Sequence, residues 1–417
     1  MPLLHHAAWV LPIAGPPIRD GWVAVDDGRI TGVGWGHGPG AVQEITNQEI
    51  TNQEHPPAPR LPTPGPCRAI LPGLINAHAH LELSWMRQQV PPAPTMPDWV
   101  ERLMALRGAA GRDAVEPIAA AICEMRAGGT AAVGDVTNSL AAWEPLADSP
   151  LYAVVFLELL GFNAADPRKV VLDAAARLAG LTPRAGIRSA IVAHAPYSVS
   201  FALLREIAVL PQDGPISMHV GESPEEIEFL KSGTGAWRQL LEKLGVWTTG
   251  WMPPACGPIE FLSRAGLVHD RLLAVHCVQI ADAELATLAS AGATVVTCPR
   301  SNRWTGVGAP PVERFYASGV RVAIGTDSLA SADDLSMFSE MAAVRATAPG
   351  IPPGRILRSA TLDGAAALGF GGELGSIEPG KRAELIAVDV PADVADVEEY
   401  LVSGRVQPSD IRWLDAY

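Results

Sequence analysis

The sequence predicts an α/β fold: a (β/α)8, TIM-like barrel with a small β-unit beside it, built from both chain ends. Three observations predict it. Between residues 69 and 370, short runs rich in β-branched and small apolar residues alternate with stretches of helical period. Polar residues close one run after another, as catalytic residues do at the C-terminal face of such a barrel. The two chain ends instead hold short β-like pieces, with Gly and Pro dense before Ile70.

In chain order, the stretch to about Ile70 holds GWVAVDDGRITGVG, where Asp27-Gly28 reads as a hairpin turn. The direct repeat ITNQEITNQE (Ile45 to Glu54) and a Pro-rich run to Pro66 read as a solvated insertion. The expected barrel strands are AILPGLINAH, TAAVGDV, YAVVFLELL, RSAIVAHA, PISMHV, LLAVHC, ATVVTCP and RVAIGTD. Helices such as DAVEPIAAAICEMRAG, DPRKVVLDAAARLAG and DAELATLASAG lie between them. Repeated β-then-α units argue a closed parallel sheet. After Phe370, GSIEPGKRAELIAVDV and EEYLVSGRVQPSDIRWLDAY read as short strands. The expected division is 1–70 with 372–417 as a composite β-unit and 71–371 as the barrel.

Composition narrows the function classes. A chain of 417 residues suits one barrel with an attachment, or two medium α/β domains. At 48% hydrophobic residues it can bury a large core. Lys and Arg number 31 against 45 Asp and Glu, a net charge of −14 with no basic run. That tells against nucleic acid and anionic membranes as partners. No apolar run reaches spanning length, and the N-terminus makes a poor signal peptide. The five cysteines form no CxxC pair and are odd in number, so a disulfide framework is not expected and a cytoplasmic location is the simplest reading.

The strand ends carry the chemistry. The first ends in His78-Ala79-His80, the fourth in His194, the fifth in His219 followed by Glu222, the sixth in His276 and the eighth in Asp327. His-x-His on a strand turns both imidazoles to one face, because the side-chain period is two. Alone, that pattern is more often chance. Joined by a third His and an Asp at later strand ends, it suits Zn2+ or Fe2+ rather than Ca2+ or Mg2+. A metal held there would lower the pKa of bound water to about 7 and favour hydrolysis at an electrophilic carbon. Glu222 reads as a proton shuttle or as an acid at the start of the SPEEIEFL helix. Asp327 reads as a ligand that also accepts a proton, or as a helix cap.

The segments LPGLINAHAHLELS, AHAPYSVS, HVGESPEE, VHCVQI, TCPRSN, GTDSLAS and GSIEPGKRAEL resemble the amidohydrolase superfamily, within it the cytosine deaminase, S-adenosylhomocysteine deaminase and chlorohydrolase branch. The motifs run in order over nearly the whole chain. The resemblance implies a (β/α)8 barrel with a flanking β-sandwich formed from both termini. It implies one divalent metal, Zn2+ foremost and Fe2+ next, on His78, His80, His219 and Asp327. Glu222 would shuttle protons, His276 would orient the water and His194 would contact substrate. The reaction would be hydrolytic loss of ammonia from an amino-bearing ring carbon.

Departures from the branch refine the substrate. LELS and CPRSN resemble a subgroup that deaminates 6-aminodeoxyfutalosine, a benzoate-bearing purine nucleoside on a route to menaquinone. Arg300 and Arg303 are expected to meet its carboxylate, since Arg forks match carboxylates. Glu82 is a candidate ribose contact, and Trp85, Trp99 and Trp304 are candidate aromatic walls. DWVERLMALRG places Arg107 where related deaminases carry a ribose-binding glutamate. Deaminases of S-adenosylhomocysteine or adenosine, and triazine-type chlorohydrolases, are the alternatives. The expected partner is a small nucleoside, with no nucleic acid and no membrane; a homo-oligomer is in keeping with the family.

Overall fold

The structure, a computed structural model, describes residues 3–36, 67–109 and 115–415. Its strands are β1 (Leu3–Val10), β2 (Ile18–Asp26), β3 (Arg29–Trp35), β4 (Cys67–Pro72), β5 (Leu74–Ala79), β6 (Thr130–Thr137), β7 (Tyr152–Leu159), β8 (Ile187–Ala193), β9 (Ile216–Val220), β10 (Leu272–His276), β11 (Thr294–Thr297), β12 (Arg321–Ile324), β13 (Leu385–Val390) and β14 (Ile411–Trp413). The ITNQE repeat and the Pro-rich run lie outside the described residues.

Both chain ends meet in one six-stranded sheet, ordered β14-β13-β4-β1-β2-β3. The β2–β3 hairpin turns at Asp27 and Gly28, both at positive φ (48° and 70°), as the Asp-Gly pair predicts. Val10, Val23, Ile30 and Ile70 from the first end bury against Ile377 and Leu385 from the second.

The barrel strands form two four-stranded parallel sheets, β5-β6-β7-β8 and β9-β10-β11-β12. Most positions of these strands are buried on both faces, as in parallel sheets covered by helices. The two sheets join at the strand ends. The His219 N–H donates to the His194 carbonyl at 3.0 Å, and the Asp327 N–H to the His78 carbonyl at 3.0 Å. Both seams therefore run through predicted site residues. Asn76 ties the second seam from below: its Nδ2 donates to Thr326 Oγ1 at 2.7 Å, and its Oδ1 accepts the Thr326 N–H at 3.1 Å. Gly325 permits this approach, since a Cβ there would fall 2.8 Å from both the Cβ and the carbonyl oxygen of His78.

Two sequence expectations are corrected. AILPGLINAH is two strands, with β4 in the flanking sheet and β5 in the barrel. The break falls at Gly73, whose N–H donates to Glu384 O at 2.8 Å and where a Cβ would sit 2.7 Å from that of Ala131. EEYLV is not a strand either: Val397–Val402 is a helix, capped by the Asp396 carboxylate accepting from the Glu399 N–H. Val397, Leu401 and Val402 are its buried face. The three expected helices appear as Val115–Ala127, Pro167–Ala179 and Asp282–Ser290. All five cysteines are unpaired. Among the described residues no helix is long and apolar enough to cross a membrane.

Candidate active site

Five predicted histidines and two predicted acids converge at the C-terminal ends of the barrel strands. His78 and His80 close β5, and their rings stand 4.9 Å apart, edge to face. His80 Nε2 lies 3.3 Å from His219 Nε2. Asp327 Oδ1 lies 3.6 Å from His80 Nε2 and 3.9 Å from His78 Nε2. His78, His80 and Asp327 offer ligand atoms within 4.8 Å of one another, and so do His78, His219 and His276. His78 is fully buried, and neither of its ring nitrogens has a hydrogen-bond partner in the protein. Burial, then its histidine neighbours, hold its pKa well below the usual range, so it is a neutral imidazole able to donate a lone pair. Burial lowers His219 to about 4. This donor set fits a divalent metal of the Zn2+ type.

The surroundings fix these side chains. Ser301 Oγ donates to Asp327 Oδ2 at 2.5 Å and Ser331 Oγ at 3.3 Å, leaving Oδ1 toward the histidines. His219 Nδ1 faces the His194 carbonyl at 3.2 Å and Glu158 Oε1 at 3.5 Å, so its Nε2 is the nitrogen turned to His80. His276 and Asp327 are non-glycine residues at positive φ (71° and 60°), a strained conformation that concentrates at functional sites.

Glu222 and His276 face each other, with Glu222 Oε1 3.4 Å from His276 Nε2. The Asn302 side-chain amide bonds the other nitrogen, Nδ1, at 2.9 Å. Burial, with help from Asp327, drives the Glu222 pKa well up, and burial drives that of His276 well down. Glu222 sits just before the helix Pro224–Ser232, whose cap is Ser223. The buried Glu226 carboxylate on that helix reaches back to accept the Gly221 N–H at 2.9 Å and the Glu222 N–H at 3.0 Å. Glu222 thus stands just ahead of the helix cap and lines the cavity.

These side chains face a cavity that opens to solvent at its mouth. His80, Glu82, Glu158, His194, His219, Glu222, His276 and Asp327 line it. His194 Nδ1 is tied to Ser198 Oγ at 2.6 Å. Glu82 is 6% exposed and anchored: its Oε2 accepts from the Thr137 and Ser139 hydroxyls (2.7 and 2.6 Å) and two backbone N–H groups. Its Oε1 accepts from Arg107 at 2.7 Å. Burial raises its pKa, but the Ser139 and Thr137 hydroxyls and Arg107 outweigh that and hold it below the usual value.

Arg300, Arg303 and Trp85 are not at this cavity. Arg300 and Arg303 line a separate hollow with Trp304 and Asp333. The short helix Pro299–Trp304 turns Ser301 inward to Asp327 and Arg300 to Asp334 (2.6 Å) and Glu340 (3.7 Å). Trp85 packs against the cluster of Leu83, Met86 and Trp99. The cation that does line the cavity is Arg107, near the end of the helix Met96–Ala109, which also presents Met96, Trp99, Val100, Leu103 and Met104. Their spacing at i, i+3, i+4, i+7 and i+8, with Arg107 at i+11, is the signal that marks one helix face.

The profile of the Amidohydrolase family matches residues 69–408. The chain belongs to the amidohydrolase family. A Deinococcus radiodurans protein named aminodeoxyfutalosine deaminase is 31% identical over 81% of this chain and 84% of its own length. A Desulforudis audaxviator 5-methylthioadenosine/S-adenosylhomocysteine deaminase is 30% identical over 97% and 93%. Among solved structures, an adenosine deaminase from Xanthomonas campestris with bound zinc superimposes with a TM-score of 0.76 at 28% identity, covering 97% and 90%. A Helicobacter pylori aminofutalosine deaminase bound to methylthio-coformycin superimposes at 0.80 and 25%, covering 96% and 95%. As an amidohydrolase the chain is an enzyme of the metal-dependent hydrolase type, with the barrel and flanking β-sandwich of that family.

Proposed function

We propose that this amidohydrolase is a hydrolytic deaminase that releases ammonia from the 6-amino group of a purine nucleoside, with 6-aminodeoxyfutalosine, an intermediate toward menaquinone, as its substrate. One observation carries the reading: His80, His219, Asp327, Glu222 and His276 line one cavity, with the buried His78 ring packed against those of His80 and His219. The deaminase names of relatives at 30–31% identity support the reaction class. Deamination of 5-methylthioadenosine or S-adenosylhomocysteine is the second reading, favoured by a relative that matches 97% of the chain.

His78, His80, His219 and Asp327 would hold one divalent ion, Zn2+ foremost and Fe2+ next; the unpartnered nitrogens of buried His78 fit that task. When bound, the ion supplies Lewis-acid activation of a water nucleophile. Glu222, whose protonated form its buried setting favours, gives a proton to the ring nitrogen beside the amino-bearing carbon. His276, held by Asn302, orients the attacking water. Asp327 accepts a proton from that water and returns it to the amino group. As the carbon–nitrogen bond breaks and ammonia leaves, the hydroxyl on that carbon gives its proton to the Glu222 carboxylate, which restores the acid and leaves a ring carbonyl. His194, walling the same cavity, holds the nucleoside.

Ammonia-release kinetics on 6-aminodeoxyfutalosine, 5-methylthioadenosine, S-adenosylhomocysteine and adenosine test the proposal. The highest kcat/KM is expected for 6-aminodeoxyfutalosine. A higher value for S-adenosylhomocysteine moves the assignment to the second reading, and no ammonia from any of the four contradicts both.

A further inference from the structure

We propose that Trp99 and Tyr197 read the nucleoside through two hydrogen bonds, the Trp99 indole N–H and the Tyr197 hydroxyl each donating to an acceptor on its base or sugar. This rests on the deaminase reading and adds to it the residues that select the substrate. Both side chains line the cavity that holds the metal-site cluster. Both are more than nine-tenths buried, Trp99 at 6% exposure and Tyr197 at 2%. Neither Trp99 Nε1 nor Tyr197 Oη has a hydrogen-bond partner in the protein.

A buried donor without a partner costs about 1–3 kcal/mol. Two other tryptophans of this chain pair their donors. Trp237, which also lines the cavity, donates to Ser223 Oγ at 3.2 Å, and Trp304 donates to the Val90 carbonyl at 2.9 Å. Trp99 and Tyr197 carry unpaired donors on residues that line the cavity, whereas Trp143, unpaired as well, does not line it. Tyr197 is held firmly: its ring stacks on Trp237 at 3.7 Å between centroids, 14° from parallel, and meets His194 edge to face at 5.8 Å. Trp99 is fixed on the helix Met96–Ala109 among Met86, Val90 and Leu83. Rigid donors of this kind admit ligands that bring acceptors and reject isosteres that lack them. A purine nucleoside brings ring nitrogens and sugar hydroxyls. Neither residue takes part in the proton transfers assigned to Glu222 and Asp327, so their effect belongs to binding.

The test uses Trp99→Phe and Tyr197→Phe in the metal-replete enzyme, with the best nucleoside and its 3-deaza, 7-deaza, 2′-deoxy and 3′-deoxy analogues. Each variant is expected to raise KM about 3- to 10-fold, the worth of one hydrogen bond, with kcat within 2-fold and metal content unchanged. For each variant, one analogue that binds poorly to the wild type should bind the variant no worse than the parent nucleoside does. Calorimetric binding of methylthio-coformycin gives a second readout, with the same weakening expected. KM values equal to wild type, or losses that are the same for every analogue, overturn the proposal while leaving the deaminase reading intact. A wild-type enzyme that neither turns over nor binds any nucleoside overturns the reading and the proposal with it.

Discussion

Oε1 of Glu222 lies 3.4 Å from Nε2 of His276, and each residue is no more than 2% exposed. Burial raises the pKa of the acid and lowers that of the base, which favours the uncharged form of each. A buried carboxylic acid of this kind can give its proton to a ring nitrogen at neutral pH. Glu222→Gln keeps the shape and removes the proton transfer. It should retain one metal per chain and lower kcat by about 10^2- to 10^4-fold, measured by ammonia release beside metal analysis. Near-wild-type turnover would assign the proton transfer to another residue.

Asn302 holds the far side of His276 at 2.9 Å. Partners that fix the orientation of a site histidine are typically worth 10- to 100-fold in activity. Asn302→Ala should therefore lower kcat by about that factor, while metal content stays near one per chain. Steady-state kinetics with metal analysis checks it, and an unchanged kcat would mean His276 is held by its strand alone.

Arg300 bonds Asp334 and Glu340, and Glu340 is fully buried. Arg300→Ala should cost stability, about 1–3 kcal/mol, read as a lower midpoint in urea. KM for the nucleoside should move less than about 2-fold, since the lost hydrogen bond is not one to substrate. Arg303→Ala should change neither quantity. A large KM effect specific to carboxylate-bearing substrates would restore the sequence expectation.

Glu340 also sets a pH dependence. Burial raises its pKa from the ordinary 4.5 to about 8, with Arg300 opposing. The folded chain keeps a proton that the unfolded chain releases above 4.5, so this residue lowers stability as pH rises from about 4.5 to about 8, and the loss then levels off. Glu340→Gln removes that loss. Thermal melts across pH 5 to 8.5 should show the variant gaining on the wild type as pH rises. A constant gap between the two would contradict it.

Much of this was legible in the sequence because strand ends are legible. A β-strand has a period of two and ends in a recognisable polar residue, so His78, His80, His219, His276 and Asp327 could be placed at one barrel mouth. Helical residues beside those strands were harder. At about 100° per residue, neighbours such as Arg300 and Ser301 point to different environments, and only packing decides which one faces the axis. Ser301 took the inward place, and the two arginines were left outside the cavity. Arg107, Trp99 and the apolar face of Met96–Ala109 emerge once that helix is seen to line the cavity. The Gly73 break between β4 and β5 is a tertiary event, fixed by Ala131 and Glu384 far along the chain. Val397–Val402 was misread because a six-residue helix gives too little periodicity to tell from a strand.

The most direct measurement is the ammonia released per nucleoside consumed, using protein loaded with one Zn2+ per chain and 6-aminodeoxyfutalosine as substrate. The account predicts a ratio of one, lost on chelation and recovered when Zn2+ is restored. Nucleoside consumed without ammonia, or equal activity in chelated protein, would contradict it.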